Sequence, residues 1–193
     1  MKYLLTLALL TTLTAFQAPE SFYSMEINNL EGRKMSLKDF QGKKILIVIL
    51  PVAATDTTIS IEELSVLQKK YINSLVVIGV LAEETGYSPK EEKGIKNLYR
   101  GRKPAFSVAE GMKVKKEAGA AQSKLFQWLT SKEKNRHFDQ DIKGVGHKFF
   151  VDEQGELYAV MGPQIKLSNP VIDRILSKPL RKTAAIKGSP TGK

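Results

Sequence analysis

A chain of 193 residues, 42% of them hydrophobic, is long enough for one domain with a packed core and lacks the composition of a disordered protein. It contains no cysteine, which excludes disulfides, thiolate metal sites and thiol nucleophiles. The formal net charge of +10 falls to +4 once Lys2 and five tail charges (Lys178, Arg181, Lys182, Lys187, Lys193) are set aside, so a mildly basic surface is expected and no nucleic-acid groove.

Residues 1–18 have the pattern of a secretory signal peptide. Lys2 supplies a positive start, Tyr3 to Leu13 an apolar run, and Ala15 and Ala18 small residues near a cut. Thr6, Thr11 and Thr12 break the run, and a membrane span needs ~20 apolar residues. Export to a periplasm or the extracellular space is therefore expected.

Residues 19–177 are expected to form the domain. Met25, Ile27 and Leu30 before Glu31-Gly32, with Lys34 to Leu37 after, predict an N-terminal hairpin. Lys38 to Lys43 reads as a helical turn ended by glycine. Ile45 to Leu50 is a continuous apolar run, as in a strand buried on both faces. After a loop from Pro51 to Ile59, Ser60 and Glu63 have capping-box spacing, and Ile61, Leu64, Leu67 and Tyr71 lie on one helical face. Leu75 to Leu81 predicts a second buried strand, Ser88 to Arg100 a helix, and Ala105 to Val108 a short strand. Ser123 to Thr130 predicts a helix whose Trp128 serves the core. Lys148 to Asp152 and Glu156 to Met161 predict strands joined by the turn Glu153-Gln154-Gly155. Pro170 to Leu176 predicts a closing helix with proline at its first position. Residues 178–193 offer no apolar face and are expected to form a disordered basic tail, whose charge allows a weak attraction to anionic surfaces. The order of elements predicts an α/β protein with a mixed sheet.

The wording of these segments resembles the glutathione peroxidase family. Ser21-Phe22-Tyr23, Leu30-Glu31-Gly32 and Ser36-Leu37-Lys38-Asp39-Phe40-Gln41-Gly42-Lys43 match the family's opening. Leu75 to Gly79, Ser123 to Leu129, Asp141-Ile142-Lys143 and Lys148 to Asp152 follow in unbroken order. The resemblance implies a thioredoxin-like fold. Exported thiol-disulfide redoxins share several of these features but usually carry a proline before the late strand. Here that stretch is Gly144-Val145-Gly146-His147-Lys148, which favours the peroxidase branch.

The family's chemistry needs a Cys or selenocysteine in the loop after the first buried strand, hydrogen-bonded by a Gln, a Trp and an Asn. Counting from the strand places the nucleophile position at Ala54, counting back from the helix at Thr55, and matching Val52-Ala53 at Asp56. The Gln position carries Glu84, and the Trp-Asn pair is replaced by Gly144 and Val145. All four positions have changed, so the resemblance implies a retained fold without peroxidase activity: a binding or scaffold domain with no cofactor and with a protein or small-molecule partner that the sequence does not name. The alternative is an enzyme of the same superfamily using non-thiol chemistry. In that case Asp56, Glu83 and Glu84, after neighbouring strands, would share a proton or hold a hard cation. Their bland reading is a helix-start residue and two solvated loop charges. His147, beside the lost pair, is a further group able to enter the pocket.

Overall fold

The computed structural model describes residues 21–178; the expected signal peptide and all but the first residue of the expected tail lie outside them. A small antiparallel sheet pairs β1 (Glu26–Asn28) with β2 (Lys34–Ser36). The main sheet contains β3 (Lys44–Leu50), β4 (Leu75–Ala82), β5 (Ser107–Met112), β6 (Lys148–Val151) and β7 (Leu157–Met161), in the spatial order β5-β4-β3-β6-β7. The helices are α1 (Ile61–Lys70), α2 (Glu92–Arg102), α3 (Lys124–Thr130), α4 (Lys132–Asn135) and α5 (Pro170–Ser177).

Every residue of the central strand β3 is buried, because helices cover both faces of the sheet. Ile45, Ile47 and Ile49 pack with Phe126, Trp128 and Phe149 on the α3 side. Leu46, Val48 and Leu50 pack with Leu64 and Leu67 of α1, Ile95 and Tyr99 of α2, and Ile172 and Leu176 of α5. This is the period-two alternation of a strand expressed between two apolar layers rather than between core and solvent. β3 and β4 run parallel with α1 as the crossover, in register from Lys44 opposite Leu75 to Leu50 opposite Leu81. Gly79 of β4 leaves room for Leu50: a Cβ there would collide with Leu50 Cδ1.

Local signals explain the ends of elements. Ser60 Oγ accepts the amide of Glu63 at 3.1 Å and caps α1. The same hydroxyl donates to Glu62 Oε2 at 3.1 Å. Asn169 caps α5 through the amide of Val171, with Pro170 in the first turn. Trp128 is core, its ring 5.2 Å from that of Phe22. The expected strand at Ala105 to Val108 is corrected to Ser107–Met112: pairing with β4 carries it into Glu110-Gly111-Met112, residues whose own strand preference is weak. Lys178, the first residue of the expected tail, is tied down by its carbonyl, which accepts from Lys44 Nζ at 2.7 Å.

Candidate functional site

Topology brings three segments to one end of the sheet. β3 and β4 are parallel, so the loop after Leu50 and the turn after Ala82 leave from the same edge. β6 is antiparallel to β3, so the residues before Lys148 arrive there. Two backbone bonds close the junction: the amide of Gly146 donates to Ile49 O (2.8 Å), and that of Ile49 to His147 O (3.0 Å). Ligands of open α/β sheets bind at this end of parallel strands.

In the first segment, Ala54 and Thr55 are exposed and Asp56 is half-buried. The loop is pinned by side chains of α2: Tyr99 Oη donates to Pro51 O at 2.6 Å, and Arg102 Nη2 to Ala54 O at 3.1 Å. Burial raises the pKa of the Tyr99 hydroxyl, and this keeps it a donor. Asp56 Oδ1 accepts the amide of Thr58 at 2.8 Å, so its carboxylate closes a turn just ahead of α1.

The second segment holds Glu83 and Glu84 in a single helical turn. Glu84 faces the strand that follows α2: Val114 N donates to its Oε1 and Oε2 at 2.9 and 3.0 Å, and Lys115 N to Oε1 at 3.0 Å. A carboxylate ringed by amide donors is a structural anchor for the end of β5. Among the described residues no three His, Asp or Glu side chains are grouped to hold a metal ion. The structure therefore does not assemble Asp56, Glu83 and Glu84 into a cation site; Asp56 and Glu84 are each taken up by loop amides.

The third segment carries Gly144 and Val145, where the family resemblance expects a Trp-Asn pair. Gly144 has φ +124° and no atom within 4 Å of where a Cβ would stand. A Cβ would have space there, yet side chains rarely adopt that backbone. Val145 packs against both apolar layers. His147 is 1% exposed and stacks on Phe149 with ring centroids 4.9 Å apart. Its Nδ1 accepts the amide of Lys143 at 3.1 Å, which puts the proton of the neutral ring on Nε2, and Nε2 has no partner among the described residues. Burial, with Lys143 and Lys148 nearby, lowers its pKa to about 4. The ring is thus held neutral at physiological pH.

Sequence reasoning missed the pinning of the first loop by Tyr99 and Arg102, and it missed Lys148, a charged residue 2% exposed. A lysine opening the apolar run Lys148-Phe149-Phe150-Val151 was the available signal.

The family model for glutathione peroxidase matches residues 22–130. A curated relative, "Probable glutathione peroxidase 3, mitochondrial" of Arabidopsis thaliana, is 24% identical over 173 residues, covering 85% of this chain and 81% of that protein. Among solved structures, T. cruzi GPX1 superposes with a TM-score of 0.60 at 16% identity, covering 81% of this chain and 94% of that one. A thiol:disulfide interchange protein of the thioredoxin family from Chlorobium tepidum superposes with a TM-score of 0.57 at 18% identity, covering 84% and 97%. These two likenesses establish the thioredoxin-like fold.

Proposed function

Because the chain belongs to the glutathione peroxidase family and has no thiol, we propose that it is an exported protein without peroxidase activity that uses the fold for binding. The observation that carries this reading is the fate of Glu84. Where the family has a Gln directed at the nucleophile, this chain has a carboxylate consumed by Val114 and Lys115 amides. The exposed Ala54 and Thr55 and the hydrogen-bonded Asp56 offer no nucleophile that a peroxide can oxidise. Export is supported by the leader pattern in residues 1–18.

The alternative of carboxylate chemistry draws no support from Glu84, whose two oxygens accept backbone amides, or from Asp56, whose Oδ1 closes a local turn. The reading is tested by steady-state hydroperoxide reduction with thioredoxin and with glutathione as reductants. No turnover above a heat-killed control is expected with either, and turnover with one of them would overturn it. Mass spectrometry of the protein from its source cell tests export: a first residue between Phe16 and Pro19 is expected, and an intact Met1 would refute it.

A further inference from the structure

Two lysines of the main sheet are buried, and they are treated differently. Lys44, 6% exposed, forms an ion pair with Glu153 Oε1 at 2.6 Å. Lys148, 2% exposed, donates to two carbonyls, Gly146 O at 2.6 Å and Ile165 O at 2.8 Å, and forms no ion pair among the described residues. An ammonium withdrawn from water without a counter-charge is costly, by several kcal/mol in general. Two carbonyl dipoles answer two of its three donors.

Lys148 is one of the residues that line a cavity of ≈ 270 Å³. Lys166 stands in the same wall, and burial together with Lys166 lowers the Lys148 pKa to about 8. Glu63 is the one acid of the lining, against two lysines. Thr57 and Thr58 contribute hydroxyls, while Ile165 and Leu167 contribute apolar surface. The cavity thus combines a buried uncompensated cation, a second cation, hydroxyls and an aliphatic wall.

We propose that this cavity binds a small organic carboxylate, its charge against Lys148 and its aliphatic part against Ile165 and Leu167. The inference gives the binding role proposed above a ligand class and so rests on that reading. A single negative charge fits the lining, because two ammoniums less one carboxylate leave one positive charge to answer.

The test is calorimetric titration of the full chain with butyrate, butyramide and inorganic phosphate. Butyrate should bind and its neutral amide should not. Lys148→Met should weaken butyrate binding about tenfold or more, the scale of one charge-assisted hydrogen bond. Glu63→Gln, at an accessible helix position, should tighten it by a few fold. Should Lys148→Met fail to fold, the wild type still decides, through the Lys148 side-chain NMR signal: saturating butyrate should raise its pKa above about 8. No butyrate binding, equal binding of the amide, or phosphate binding as tight as butyrate would overturn the proposal. Peroxide turnover would instead defeat the loss of peroxidase activity and leave the titration result standing.

Discussion

Both oxygens of Glu84 accept the same backbone amide, that of Val114, at 2.9 and 3.0 Å. The carboxylate therefore fastens the end of β5 to the end of β4. Replacing it with alanine leaves the amides of Val114 and Lys115 without their acceptor in a partly buried setting. Glu84→Ala should destabilise the protein by about 1–3 kcal/mol in urea unfolding. Glu84→Gln, which keeps one acceptor oxygen, should cost less. Equal stability of Glu84→Ala and the wild type would mean that the carboxylate is solvated and ties nothing.

The loop before β6 has a backbone that side chains rarely adopt. Gly144, at φ +124°, stands where the family resemblance expects a tryptophan. Gly144→Trp should lower stability by about 1–3 kcal/mol, the usual cost of a side chain forced into that region. Thermal melts of the single variant check this, and an unchanged Tm would show that the loop readily reverts to another conformation.

How far the sequence reached can be judged from particular residues. The run Ile45 to Leu50 announced a doubly covered strand, and the structure buries every one of these residues. Ser60 announced the start of α1 because its hydroxyl acts locally. The sheet order was not written in any segment, and β5 extends past its apolar residues because β4 supplies the hydrogen bonds. For the site, the sequence offered only the positions that the family resemblance implies. The partners of Glu84 were not legible, because the amides of Val114 and Lys115 lie 30 and 31 residues away and carry no side-chain signature. His147 was placed beside the lost pair, but its burial depends on stacking against Phe149, a tertiary contact.

That burial predicts a pH dependence. The folded-state pKa of His147 is about 4, below its ordinary 6.5. The unfolded chain therefore takes up the proton first as pH falls. Stability from keeping the ring neutral is complete above pH 6.5 and is lost progressively as pH falls towards 4, by on the order of 3 kcal/mol. Melts of the wild type and of His147→Phe across this window measure the difference. The variant should show a shallower loss on the acid side, and parallel curves would assign the acid sensitivity to other groups.

The central claim is that this member of a peroxidase family has no group that a peroxide can oxidise in catalysis. Mixing the reductant-free protein with a slight excess of hydrogen peroxide, and following peroxide loss by stopped flow, tests it without depending on the choice of reductant. The account predicts no rapid phase, only the slow oxidation of methionines seen as added oxygen by mass spectrometry. A fast burst that consumes peroxide in proportion to protein would contradict it.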